Sequence, residues 1–291
     1  MIEDLQNAIE LIREFFLDGF LALLAVAVVG PILGSALVVR RMPLLALAVP
    51  QLAACGQAAA FCWFALFYAL RQGGVVEEPG PAVQLLGSVA SVFAGMLLLM
   101  LGSSRTLGAR AAIAFLFAVA LRDVLFLATP YDKVFEDLVH RGRLLTVDTS
   151  GRNTVLAASV VVALVFLVTL RRNQVAAFDP DQARLLGAKP RVHTLATMLL
   201  FGLYCAVVVP IVDATVVLVL TLVPPIALRT AVPTLASYVP WCITTSLVGA
   251  MIAFVLACTE GIDWPPGPTL TIVVTAISLT FAIVAKCMRR H

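Results

Sequence analysis

The chain has 291 residues, of which 61% are hydrophobic and only 13% are charged. A soluble domain carries about 25% charged residues, so there are too few charges here to cover a water-facing surface. The net charge of +3 and the mean hydropathy of +1.02 therefore describe a membrane protein and exclude a soluble one. The six cysteines lie mostly in apolar stretches without CxxC pairing, so we interpret them as small buried residues and expect no disulfide framework.

Residues 1–16 are predicted to form an acidic amphipathic helix. They lack the basic start and the cleavage site of a signal peptide, so we expect the mature protein to retain them.

Long charge-free stretches follow along the rest of the chain. Crossing the hydrocarbon core takes about 20 apolar residues, and most of these stretches are long enough. Because Pro224 and Pro225 interrupt the seventh segment, the count is nine spans, or eight if that segment only re-enters. We expect an all-α polytopic bundle that forms one transmembrane domain over residues 1–291. The predicted helices lie near residues 17–39, 43–70, 83–102, 110–129, 153–170, 193–212, 214–231, 241–258 and 268–287.

The distribution of Lys and Arg predicts the orientation of the bundle, because cytoplasmic loops are enriched in both. If the first helix runs from outside to inside, one face collects most of the basic residues and only Asp179 and Asp181 of the acidic ones. We therefore expect an external N-terminus and a cytoplasmic C-terminus.

The sequence lacks the motifs of several enzyme classes. It contains no G-x-x-x-x-G-K-[ST] phosphate loop, no HExxH and no G-x-S-x-G, and its three histidines fall in predicted loops or at helix ends. We expect no catalytic residue and no bound cofactor, and a function in passage or coupling rather than in bond making.

Four stretches occur in a characteristic order and together cover about residues 17–287. They are residues 30–34 followed by Arg40-Arg41-Met42, residues 142–147 (GRLLTV), residues 178–187 (FDPDQARLLG), and residues 223–227 (VPPIA) followed by residues 263–267 (DWPPG). In content and order they resemble the membrane subunit of the ABC importers for zinc, manganese and chelated iron. Only the third stretch is specific by itself, since it is very close to F-D-P-E-x-A-x-x-x-G.

The resemblance implies a coupling helix over residues 178–189 on the cytoplasmic face. An Asp before a proline is the pattern of a helix start, which supports a short helix there independently. In the family such a helix docks on the ATPase. By their position in the motif, the resemblance assigns this coupling role to Phe178, Asp179, Pro180, Arg184 and Gly187.

The resemblance also implies partners. They are a separate ABC ATPase subunit, a periplasmic or lipid-anchored solute-binding protein, and a second permease in a homodimer or heterodimer, in the lipid of a bacterial cytoplasmic (inner) membrane. No nucleic acid partner is expected. The implied function is the permease subunit of an importer for divalent metal ions or metal chelates.

One expected motif is missing. Family members that carry bare metal ions follow R-R-M with G-D-x-x-x-H-A, and alignment on Arg40-Arg41-Met42 puts Leu47 and Gln51 at the Asp and His positions. Leucine cannot bind a metal, and an amide oxygen is a poor substitute for imidazole. Three alternatives remain open: a divergent partner or regulatory subunit without its own metal site, a permease of the same fold for another cargo, or a repositioned metal site.

Few side chains could form such a repositioned site. Gln51 and Cys55 lie one turn apart on the second predicted helix, and Cys62 is on a compatible face. Asp213 follows Pro210 and precedes an apolar run, where it could cap a helix or meet a cation. Gln51, Cys55 and Asp213 are thus weak metal-ligand candidates, since a thiol in an apolar helix needs no functional explanation and capping is the simpler role for Asp213.

Arg122 and Asp123 interrupt the fourth apolar segment. Charges within the membrane usually face a bundle interior or water and are candidates for function. Alternatively the helix ends early and the pair lies among lipid headgroups.

Overall fold

The computed structural model describes residues 12, 15–72, 80–100, 107–128, 143–178, 190–232, 234–259 and 265–288. Within these ranges the chain forms nine α-helices and a short 3-10 helix, Arg143–Thr146, and no strand. The predicted all-α class is confirmed. The helices are α1 (Leu17–Val39), α2 (Pro43–Gln72), α3 (Pro81–Met100), α4 (Leu107–Ala128), α5 (Thr149–Phe178), α6 (Pro190–Val212), α7 (Ala214–Leu228), α8 (Leu235–Ala257) and α9 (Pro266–Met288).

Seven of these helices are long and apolar enough to cross a membrane, namely all except α4 and α7. The exceptions have different causes, since α4 carries three charged residues and α7 has only 15 residues. The chain is therefore a multi-pass membrane protein.

The bounds of α5 differ most from the prediction. The helix starts at Thr149 rather than near residue 153, because the Asp148 Oδ1 atom accepts a hydrogen bond from the Gly151 backbone N–H at 2.8 Å and caps it. It also continues past residue 170 to Phe178. The apolar run ends at Arg171, but a helix that leaves the hydrocarbon needs only its own backbone hydrogen bonds to continue.

The buried centre of the bundle consists of α1, α2, α6 and α7. Two contacts there depend on glycine. Gly34 of α1 lies against the Thr221 backbone of α7, and Gly56 of α2 lies against Gly87 of α3. Close helix approach through small residues is the usual way in which membrane helices pack without a hydrophobic driving force.

Contacts at the two ends of the bundle show which helix ends share a side, while the predicted external N-terminus stays a prediction. At the start of α1 and α5, Asp18 forms an ion pair with Arg152, with the Nη1 and Oδ1 atoms 2.6 Å apart. At the opposite end, the Arg40 Nη1 atom donates to the Thr197 hydroxyl at 2.7 Å. The N-terminal ends of α1 and α5 thus share one side, while the end of α1 and the start of α6 share the other.

The proline-containing α7 crosses the bundle instead of turning back. It starts beside the end of α6 and ends in a small cluster that includes Leu228 and Tyr238, against which Val39 and Ala285 pack. Val39 is the last residue of α1, so α7 reaches the opposite end of the bundle. This favours the nine-span alternative.

Two predicted segments lie outside the described residues. Of the amphipathic N-terminal segment, only Ile12, Phe15 and Phe16 are described, and the coupling segment is described only up to Phe178. The interpretation of the cysteines as buried residues is confirmed for four of them, but Cys62 is half-buried and Cys287 is exposed.

Candidate functional site

Arg122 and Asp123 lie inside α4, not at its end. The helix begins at Leu107 and continues through Ala128, so at 1.5 Å per residue Arg122 lies about 22 Å from its start, with apolar residues following. The prediction that the helix ends before the pair is wrong, whereas a position of the pair among lipid headgroups stays a prediction. A charged pair is therefore held within an otherwise apolar helix.

The guanidinium of Arg122 connects α4 to α2. Its Nη1 atom donates to the Gln51 side-chain oxygen at 3.1 Å, and its Nε atom donates to the Asp123 carboxylate at 3.0 Å. The Nη2 atom lies 3.0 Å from the same Asp123 oxygen. Gln51 itself is only 6% exposed, so this buried amide meets its hydrogen-bonding need through a charged donor.

Two further side chains complete this group. Cys55, one helical turn after Gln51 on α2, is buried. Asp213, at the junction of α6 and α7, also interacts electrostatically with Arg122. We call these five residues, Gln51, Cys55, Arg122, Asp123 and Asp213, the polar centre.

Asp213 is the single residue between α6 and α7, and its backbone has a φ of 101°. This conformation favours glycine, so the carboxylate must supply a compensating interaction. Its Oδ1 atom accepts from the Ala214 backbone N–H at 2.7 Å, which caps α7. The predicted capping role of Asp213 is thus confirmed.

The second carboxylate oxygen of Asp213 faces another helix. A Cβ atom added to Gly267 would lie 3.7 Å from Oδ2, so this oxygen is beside the first turn of α9. The N-terminus of a helix carries about half a positive charge. The starts of α7 and α9 therefore both lie beside the carboxyl group of Asp213.

The sequence pattern did not predict that these residues form one group. Gln51 and Cys55 were predicted as weak candidates on one helix and Asp213 as a third one elsewhere, and the structure joins Gln51 to Arg122 by a hydrogen bond. One sequence signal could have linked these residues: Gln51, the Arg122-Asp123 pair and Asp213 each interrupt an otherwise apolar segment.

The described residues contain no group of three His, Cys, Asp or Glu side chains that could hold a metal ion. Leu47, at the position of the family's carboxylate, packs against the hydrophobic core instead. A metal-ligand role for Gln51, Cys55 or Asp213 stays a prediction. What the geometry does provide is a hydrogen-bonded guanidinium between α2 and α4.

A cleft lies between the starts of α3 and α5 and the end of α6. Its volume is about 670 Å³, and its polar lining includes Gln84, Thr146, Asp148 and Thr154. Gln84 also meets Gln57 of α2 at 3.4 Å, in the half of α2 that follows Gln51. The cleft thus opens on the side of the bundle that holds the Asp18–Arg152 pair.

Comparison with known proteins identifies the fold. PsaBC from Streptococcus pneumoniae, solved in complex with a Fab, matches with a TM-score of 0.73 at 15% identity, covering 97% of this chain and 95% of that chain. A structure described as an inward-facing metal-chelate type ABC transporter matches with a TM-score of 0.70 at 17% identity, covering 94% of this chain and 87% of that chain. Comparison with curated proteins by sequence finds no match.

These similarities extend over nearly the whole length of each chain, so the bundle has the fold of an ABC-transporter permease. The sequence pattern of the ABC 3 transport family matches residues 12–285, and the chain belongs to this family. The family predicted from the four sequence stretches is confirmed.

Proposed function

We propose that the chain is the permease subunit of a bacterial ABC importer for metal ions or metal chelates. It works as a dimer, with a separate ATPase that supplies the energy and an external solute-binding protein that delivers the cargo. The single observation that carries this proposal is the family match over residues 12–285. The whole-length similarity to a structure described as a metal-chelate type ABC transporter supports it.

The coupling segment is part of this proposal. In the sequence, residues 178–187 join the end of α5 to the start of α6, and α6 starts at the end of the bundle where Arg40 reaches it. Thr197, which receives the Arg40 hydrogen bond, itself donates to the His193 carbonyl in the first turn of α6. A movement of the segment by the ATPase would therefore act on α6 and, through Arg40, on α1.

Coupling can be tested by combining Asp179→Ala with Gly187→Val in the full transporter, reconstituted in vesicles with its ATPase. We expect ATP hydrolysis stimulated by the binding protein to fall about 10-fold or more, because the loss of the helix start and the added bulk disturb docking. Membrane insertion and dimer mass should not change.

The matched control is Gly80→Ala at the outer end of α3, where an added Cβ meets nothing within 4 Å. It should retain full stimulation. Normal stimulated hydrolysis and normal uptake in the double variant would contradict the coupling role.

A second candidate function is a partner subunit in a mixed dimer, and one observation favours it. Leu47 packs against the hydrophobic core and Gln51 is hydrogen-bonded to Arg122, so the usual ligand positions of this half offer no metal ligands. Native mass spectrometry after coexpression with the neighbouring permease genes would distinguish the two dimers. A homodimer that restores uptake without a second permease would refute the mixed dimer.

A further inference from the structure

We propose that a second copy of the chain covers the outward face of α4, and that the Arg122-Asp123 pairs of the two copies bind each other across the seam. This inference rests on the proposed permease dimer and names the surface that forms it. It follows from the depth of the pair, the exposure of α4, and the hydrogen-bonding capacity that the pair has left.

The guanidinium of Arg122 lies beside the middle of an apolar span. Its hydrogen-bond partner Gln51 is in α2, eight residues after Pro43 and 16 residues before Phe67, which bound the apolar part of that helix. At about 1.5 Å per residue, these separations correspond to about 12 Å and about 24 Å along the helix. We therefore expect the pair at the depth of the hydrocarbon.

The outward face of α4 combines apolar side chains with one carboxylate. The helix packs mainly against α2, and the side turned away from α2 is exposed in the single chain. Along that side the side chain of Asp123 is 54% exposed. Charged groups within the membrane almost always face protein or water, so lipid tails alone are a poor covering for this face. Its exposed residues recur every three or four positions and are Ile113, Leu116, Ala120, Asp123 and Leu127.

The pair has both donors and an acceptor left for a partner. Within the chain, the Nε and Nη2 atoms of Arg122 contact the same oxygen of Asp123, Oδ1, and Nη1 donates to Gln51. A guanidinium has more N–H groups than these contacts use. The Oδ2 atom of Asp123 accepts no hydrogen bond from the residues that the structure describes. A second arginine could therefore bind this carboxylate without displacing the first.

A second copy of the chain matches this pattern in depth and in charge. In a twofold dimer the same patch meets itself, so residue i contacts residue j and j contacts i. Two copies in one membrane have the same depth and direction, and Asp123 would therefore lie opposite Arg122 of the partner subunit. Two cations and two anions would then form one neutral group. Ala120, one turn before Asp123, leaves room for the two helices to approach closely.

Disulfide crosslinking of the full chain in native membranes tests the seam directly. Ala120→Cys and Leu127→Cys, each about one turn from Asp123, are introduced singly after the native cysteines are replaced by serine. Oxidation with copper phenanthroline should give a crosslinked dimer for both. Val168→Cys is the matched control, because it is highly exposed but lies on α5, which packs against α1 and α6. It should crosslink at least about 10-fold less, since a disulfide requires close backbones.

Charge exchange between two differently tagged copies tests the ion pairs. One copy carries Asp123→Lys and the other carries Arg122→Glu, so two identical copies bring only like charges together. Each variant should copurify with itself at least about 10-fold less than the wild type does, because like charges in an interface repel. The two variants mixed restore opposite charges and should copurify within about 2-fold of the wild-type level. The same exchange at Asp18 and Arg152, a pair within one chain, is the control, and mixing should have no effect there.

Native mass spectrometry in lipid nanodiscs separates this inference from the proposed function. A dimer in which neither α4 cysteine crosslinks more than Val168→Cys does would overturn the α4 seam and leave the permease dimer standing. Mixed charge variants that copurify no better than either variant alone would overturn the ion pairs across the seam. A crosslink from α4 to a different protein would refute the second copy as the covering, and a wild-type chain that is only monomeric would refute the dimer itself.

Discussion

A methyl group added at Gly34 would collide with the backbone of α7. The new Cβ atom would lie 1.7 Å from the Thr221 carbonyl oxygen, whereas real Cβ contacts are at least 3.0 Å, so α1 and α7 would have to separate by the difference of about 1.3 Å. Overpacking of a core costs about 1–3 kcal/mol, and a backbone atom cannot rotate away, so we expect Gly34→Ala to destabilise by about 3 kcal/mol.

Thermal unfolding of the purified chain in detergent would measure this effect. At about 2 °C per kcal/mol for a chain of this size, the apparent midpoint of Gly34→Ala should fall by about 6 °C. Gly30→Ala is the matched control on the same helix, because its nearest neighbour is the Thr221 hydroxyl at 3.2 Å, a side-chain atom that can rotate. We expect a loss below about 1 kcal/mol there. Equal midpoints for the two variants would refute the reasoning from the close approach.

We expect Asp213→Ala to lower the free energy of unfolding by about 2 kcal/mol, because it removes a helix cap and keeps a strained backbone. Asp213→Gly should lower it by less than half as much, because glycine tolerates the positive φ. Chemical denaturation of both variants measures the two losses, and a larger loss for Asp213→Gly would contradict this reasoning. At the outer end, Asp18→Asn should lower stability by less than about 1 kcal/mol and Arg152→Gln by a similar amount, with the effect disappearing in high salt. A large salt-independent loss would show that the pair acts by more than charge. For topology, a cysteine at Gly267 should react with an impermeant thiol reagent from outside, and one at Ala188 only after permeabilisation; labelling of position 188 in intact cells would invert the orientation.

The helical framework could be predicted because each span is a long apolar run, and lipid leaves a backbone no alternative to internal hydrogen bonds. The errors occur at helix ends. Thr149–Phe178 extends beyond its apolar part in both directions, since a polar cap sets its start and charged residues do not prevent a helix from continuing in water.

The polar centre could be predicted only in pieces. The capping role of Asp213 follows from local sequence, since a carboxylate directly before an apolar helix is a common start signal. The contact between Arg122 and Gln51 joins residues that are 71 positions apart, and it depends on how α2 and α4 lie side by side. No local pattern contains that information, because a long guanidinium can reach any of several neighbouring helices.

The close packing of Gly30 and Gly34 in α1 against α7 also restricts how the bundle can move. Thr221 sits over Gly30 and Gly34, and a slide by one helical turn would bring it onto Val26 or Val38, which carry side chains in the buried core. Helices α1 and α7 must therefore travel together as one body. Any rotation between α6 and α7 is then confined to the one-residue joint at Asp213. Such a rotation would also change the distance between the Asp213 carboxylate and Arg122.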